Sequence, residues 1–251
     1  MKESVLKNVA ISILGLVGMI NPSFADFAIV EDSDGFSNLR QAENANSPIV
    51  RSIPTGQAVW YCNNGEICSD GKASPWQLVM TADKKEGYMH QSRLKNINQF
   101  EKMNLIANKF DSLQCRNASY QLNVKISKVD LAQHTQFFKK NKDGTYSNTG
   151  KAFVGSDGEL PISQYQSIDL LNLKTKQKQS IAKTAYEHLF NPSFFDTSED
   201  IAKRNACYFD AKRDRIYWYA QNSDGAGSYE MLMIFEHGQH LSTLYNNQFN
   251  G

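Results

Sequence analysis

"RIYWYAQNSDGAGSYEMLMIFEHGQHLSTLY", Arg215–Tyr245, is the stretch that decides the fold. Three runs, Arg215–Tyr219, Tyr229–Phe235 and Leu241–Tyr245, are rich in aromatic and aliphatic residues. The turn signals "NSDGAGS" and "EHGQ" separate them. Apolar runs of strand length joined by short glycine-bearing turns read as hairpins. A fourth run, Ala206–Phe209, precedes them across the turn Asp210–Asp214. The expectation is an antiparallel meander closing the chain.

Upstream of the meander the pattern is mixed. Tyr120–Ile126 alternates apolar and polar residues and predicts a strand. "KKNKDGTYSNTGK", Lys139–Lys151, is polar and glycine-bearing and predicts a loop or hairpin tip. Two helices are expected. "QFEKMNLIANKFDSLQC" places Met103, Leu105, Ile106 and Phe110 on one helical stripe. "SIAKTAYEHLF", Ser180–Phe190, begins on a cap residue and stops at Asn191-Pro192. "TSEDIAKRN" adds a further helical turn. Residues 97–251 are therefore expected to be an α+β domain dominated by strands.

Residues 26–96 are expected to be a separate, smaller unit. Strands are predicted around Phe36–Arg40, Ile49–Ile53, Gln57–Tyr61, Trp76–Val79 and Gly87–His90, the last two paired through Lys84–Glu86. In order, the segment reads D-G-F-x-N-L-R, a polar loop, I-V-x-x-I-P-x-G, W-Q-L-V and G-Y-M-H-Q-S-R-L. This order resembles a bacterial SH3 (SH3b) domain over about residues 27–96. The insert "CNNGEICSDGKAS", Cys62–Ser74, is longer than that family's usual turn. The resemblance implies a small β-barrel that binds cell-wall peptide or protein rather than one that catalyses. The whole chain is thus expected to be β-rich, an SH3-like barrel followed by an α+β domain with an antiparallel meander.

The N-terminus points to export. Lys2 and Lys7 flank a short charged start, Val9–Ile20 is apolar, Asn21-Pro22 breaks the run, and Ser23-Phe24-Ala25 is a small-x-small site. That layout predicts a signal peptide cleaved after Ala25, a periplasmic location, and no membrane association after cleavage. Removing Lys2, Lys7 and Glu3 leaves 25 Lys+Arg and 25 Asp+Glu. A neutral chain has no bulk attraction for nucleic acid or anionic lipid.

Four cysteines, Cys62, Cys68, Cys115 and Cys207, remain, an even number suited to disulfides in an exported chain. Of three pairings, the simplest joins Cys62 to Cys68 and Cys115 to Cys207, keeping each bridge within one unit. Loop-closure entropy gives roughly 2.5 kcal/mol for the short ring and about 4.5 kcal/mol for the long one.

Catalytic and metal patterns fail on spacing. The Asp-Gly turns at Asp34-Gly35 and Asp224-Gly225 do not place the acids of a calcium loop. An oxygen site on Asn222, Asp224 and Glu230 is the remaining variant. His237 and His240 fall in a turn with no third ligand. No catalytic residue, cofactor or metal is assigned. The binding candidates are the aromatics Phe36, Trp60, Tyr61 and Tyr88, together with Asp224 and Tyr229 of the "NSDGAGSYE" stretch. The partner expected is a periplasmic protein or peptidoglycan. A protein partner points to an inhibitor or immunity protein acting on a cell-wall-targeting enzyme. An envelope-maintenance protein and a wall hydrolase with a hidden site are the alternatives.

Overall fold

A computed structural model describes residues 26–62, 74–107, 111–193 and 204–246. The protein is β-rich, its sheets are antiparallel, and none closes into a barrel. The first strands are β1 (Asp26–Val30), β2 (Phe36–Arg40), β3 (Ile49–Pro54), β4 (Ala58–Tyr61), β5 (Trp76–Met80), β6 (Glu86–His90) and β7 (Leu94–Asn96). They form one seven-stranded sheet in the order β3-β2-β6-β5-β4-β1-β7. The expected pairing of β5 with β6 is present, with Trp76 opposite His90 and Val79 opposite Gly87. The sheet has open edges but curls, so Leu39 and Ile53 at one end share a core with Ala28, Val30, Val59 and Tyr61 at the other.

The chain continues through β8 (Glu101–Lys102), β9 (Asn104–Ala107), β10 (Ser112–Arg116), β11 (Tyr120–Lys128), β12 (Phe138–Lys140), β13 (Tyr146–Asn148), β14 (Ser163–Asn172) and β15 (Lys178–Ser180). It ends in β16 (Asn205–Asp210), β17 (Arg215–Asn222), β18 (Tyr229–Glu236) and β19 (Gln239–Asn246). The meander is as expected, β16 to β19 running as successive neighbours with β8 on the outer edge of β16. A second five-stranded sheet has the order β15-β14-β11-β10-β9, and β12 and β13 form a separate ribbon.

The meander is the middle of three layers. Alternate side chains along a strand point to opposite faces, and here both faces are covered. From β17 and β18, Ile216, Trp218, Met231, Met233 and Phe235 pack against the β9–β15 sheet. Tyr217, Leu232 and Ile234 pack against Phe27, Ile29, Trp60 and Met80 of the N-terminal sheet. Burial on both faces accounts for the near-continuous apolar composition of β18, whose first seven residues are all buried. The same logic applies to β4, whose four residues are buried. Ala58 and Trp60 face the meander, while Val59 and Tyr61 face the curl of their own sheet.

Polar links fasten the layers. Arg213 Nη1 lies 2.6 Å from Glu31 Oε1 and 2.9 Å from Asp210 Oδ2. Arg215 donates to the Gly56 carbonyl while its Nε lies 2.8 Å from Glu236 Oε1. The Cys115–Cys207 disulfide joins β10 to β16 across the other interface. Cys62 is buried, and Cys68, its expected partner, lies outside the described residues.

Both expected helices are corrected. Residues 101–107 form β8 and β9, because pairing with β16 and with the cysteine-bearing β10 satisfies their backbone. Phe110 lies outside the described residues. Ser180–Phe190 holds the end of β15 and a single 3-10 turn, Lys183–Ala185. The Ser180 hydroxyl donates sideways to Asp169 Oδ1 at 2.6 Å instead of capping a helix. Most of "TSEDIAKRN" lies outside the described residues. Among the described residues no helix is long and apolar enough to cross a membrane.

Candidate functional site

Strands β11 and β14 pair along nine positions, ending with Lys128 directly opposite Ser163. A two-residue turn would join such neighbours. The chain instead spends residues 129–162 on an excursion, and long connections of this kind commonly carry function. Asp130 opens it by capping the turn Leu131–Gln133, its Oδ1 accepting from Ala132 N at 3.1 Å. The ribbon β12–β13 follows, as the polar run Lys139–Lys151 predicts, with Phe138 opposite Asn148 and Lys140 opposite Tyr146.

The excursion has its own core. Phe137, Phe138 and Phe190 are buried together, with Phe153, Tyr146, Val129 and Leu131 against them. Phe153 meets Phe138 edge-on at 5.1 Å between centroids and Phe190 at 5.4 Å. Such edge contacts contribute about 0.5–1.5 kcal/mol each beyond area burial. This cluster sets the ribbon's position independently of the main core.

The return limb is pinned from below. Asn191 Oδ1 accepts from Ile162 N at 2.9 Å and from Ser163 N at 3.1 Å. Gly155 has φ +96°, and a Cβ there would collide with the Phe190 carbonyl. Beneath it lies a buried polar set. Asn222 Nδ2 donates to Tyr165 Oη at 3.0 Å, Asn222 Oδ1 accepts from Ser193 N at 3.1 Å, and Tyr229 Oη donates to the Phe190 carbonyl at 3.0 Å. Burial is the main cause holding both tyrosine hydroxyls above the ordinary phenol range, so both stay protonated, Tyr165 accepting from Asn222 and Tyr229 donating to Phe190.

Between the ribbon and the 150–160 loop runs an open groove of about 350 Å³ lined by Tyr146, Ser147, Asn148, Lys151, Phe153 and Glu159, among others. Lys151 Nζ lies 5.1 Å from the Phe137 ring centroid. Burial first, with a smaller contribution from Lys151, lowers the pKa of nearby His188. At the ribbon tip the Thr145 hydroxyl and then its N–H hold the Asp143 carboxyl below its usual range. Hydroxyl, amide and aromatic groups beside charges of both signs suit hydrogen bonding to an extended chain.

The sequence-predicted residues are not gathered in one place. Trp60 (2% exposed), Tyr61 and Tyr229 (0%) are core residues. Trp60 borders a crevice of about 80 Å³ at the seam with β19, where Lys84 Nζ donates to the Tyr245 carbonyl at 3.2 Å. Tyr61 Oη accepts from Asn96 Nδ2 at 2.8 Å. Phe36 is 46% exposed at the start of β2, and Tyr88 is half-buried opposite Arg40. Asp224 is exposed, and its neighbours Gly225 and Gly227 pack on Asp157 and Ser156 of the excursion. Asp224 thus belongs to a segment that packs against the 150–160 loop, though it does not itself line the groove.

Asn222 and Glu230 are buried, with Glu230 accepting from Tyr219 Oη at 2.8 Å, so they do not converge with Asp224. His237 approaches Asp214 and His240 approaches Thr243. Among the described residues no group of three His, Cys, Asp or Glu side chains is placed to hold a metal. The groove residues themselves were missed in the sequence. Their signal was the length of chain between two strands that turn out to be neighbours. No protein-family model, curated protein or solved structure matches the chain.

Proposed function

We propose that this is an exported, non-enzymatic binding protein of the bacterial periplasm that holds another protein. Its sharper form is an inhibitor or immunity protein that blocks a cell-wall-targeting enzyme. In this reading residues 1–25 are a cleaved leader and residues 26–96 an SH3-like (SH3b) module. Residues 97–251 form the unit that presents the excursion. The curling of β1–β6 around one shared core supports the SH3-like assignment. The observation that carries the binding reading is the excursion itself, a ribbon with a private aromatic core beside an open polar groove. A scaffold braced by a disulfide and two sheet interfaces loses little entropy when such a surface docks.

The test is capture. Tagged protein recovered from periplasm should bring down one envelope enzyme in stoichiometric amount. Adding the purified protein should then lower that enzyme's activity on sacculi. Recovery without a partner, together with undiminished activity of candidate wall enzymes, would contradict the proposal.

Direct peptidoglycan binding is the second reading, favoured by the exposed Phe36 ring on the N-terminal sheet. Under it the intact protein should sediment with purified sacculi, and Phe36→Ala should release it.

A further inference from the structure

We infer that the β12–β13 ribbon and its groove form a docking surface for an acidic, extended protein segment. This rests on the protein-binding reading above and names the partner's chemistry. The chain as a whole is nearly balanced in charge, yet residues 125–151 contain six lysines and two aspartates. Both aspartates are engaged internally, Asp130 capping a turn and Asp143 accepting from Thr145. The lysines Lys125, Lys128, Lys139, Lys140, Lys142 and Lys151 are all exposed, and among the described residues none forms an ion pair. The interlayer arginines Arg213 and Arg215, by contrast, are each paired with carboxylates. Positive charge is paired with carboxylates at the seam, and has no carboxylate partner among the described residues at the end of β11 and along the ribbon limb.

Geometry favours an extended occupant. Among the described residues β13 pairs only with β12, and Tyr146, Ser147 and Asn148, which alternate in direction along it, all line the groove. A strand edge with side chains of both faces around it is the arrangement that accepts an added strand. Lys140 sits directly across from Tyr146 on the same face of the ribbon, and Lys151 itself lines the groove. On the far wall stand Glu159 and the exposed apolar side chain Leu160 (36%). The acidic residues of the segment therefore meet the ribbon, and its apolar residues meet the return limb.

The experiment measures fluorescence anisotropy of a labelled peptide alternating Glu and Val against the purified protein. Its twin, alternating Lys and Val, is run in parallel. The acidic peptide should bind, the basic one should not, and affinity should fall between about 50 and about 300 mM NaCl. K140E/K151E should weaken binding about tenfold, since two exposed attractions become repulsions. Ala152→Trp, which fills the groove without altering charge, should weaken it comparably. K102E, a reversal on β8 away from the ribbon, should leave it unchanged. Equal binding of both peptides, no binding of either, or wild-type affinity in both K140E/K151E and Ala152→Trp would overturn the inference. A captured partner that binds K140E/K151E normally would sink this surface while leaving the protein-binding reading intact. No captured partner alongside the expected peptide pattern would do the reverse.

Discussion

Strand β18 and the ribbon β12–β13 lie at opposite extremes of the same molecule. The first seven residues of β18 are buried, shared between the cores of two flanking sheets. The ribbon buries Phe138 on a small aromatic cluster and turns lysines and hydroxyls outward. The difference teaches where tolerance to change resides. A strand that serves two cores cannot alter one face without disturbing the other. An excursion with a private core can vary its surface while the sheet beneath it stays in register.

Opening the Cys115–Cys207 bridge should break the frame most severely. The sequence separation of 92 residues gives about 4.5 kcal/mol by loop-closure entropy. The double Ala variant should show that loss in denaturant melts, while peptide affinity at permissive temperature should be preserved. Next come Leu232→Ala and Met233→Ala, which empty opposite faces of β18. Each should cost about 3 kcal/mol. Both should lower a single transition seen equally by probes in the N-terminal sheet and in β10–β11. Two separated transitions would break the comparison, because each face would then belong to an independent unit.

A smaller effect should appear in alkali. Burial, with the Asp210 charge second, pushes Tyr217 up to about 12. The folded state thus keeps this proton longer than the unfolded chain does. The resulting contribution to stability is complete below pH about 10 and is lost as pH rises towards about 12. Melts across that window should decline, and Tyr217→Phe should flatten the decline. A slope unchanged by the substitution would refute the assignment. The smallest effect belongs to the ribbon, where Lys140→Ala should shift stability by less than about 0.5 kcal/mol. A larger loss would make that lysine part of the frame.

Much of the frame was legible in the sequence, and particular residues show why the rest was not. The meander and the β5–β6 hairpin announced themselves through apolar runs bounded by turn residues. Strand β14 did not, because its bulge opposite Lys125 and Ile126 shifts the inward set from Ser163 and Tyr165 to Ile168 and Leu170, breaking the alternation. Residues 103–106 and 181–190 carried spacings compatible with a helix. Backbone pairing with β16 and β10 in one case, and a lateral Ser180–Asp169 bond in the other, overrode that weak preference.

Trp60 and Tyr61 read as surface aromatics if their strand has one covered face, and Tyr229 reads as part of the glycine-bearing loop it follows. Their strands are covered on both sides, which the unbroken run "AVWY" and the stretch "YEMLMIFE" express only in retrospect. The groove was hidden for a different reason. Its position depends on Lys128 and Ser163 being neighbours, and no local pattern encodes that adjacency.

Native-state hydrogen exchange tests the shared middle layer most directly. The amides of β18 should exchange only through global unfolding, and those of β1 and β4 should open at the same free energy, because their core closes on the meander. Protection in β1 and β4 that outlasts the opening of β18, or is lost well before it, would contradict the account.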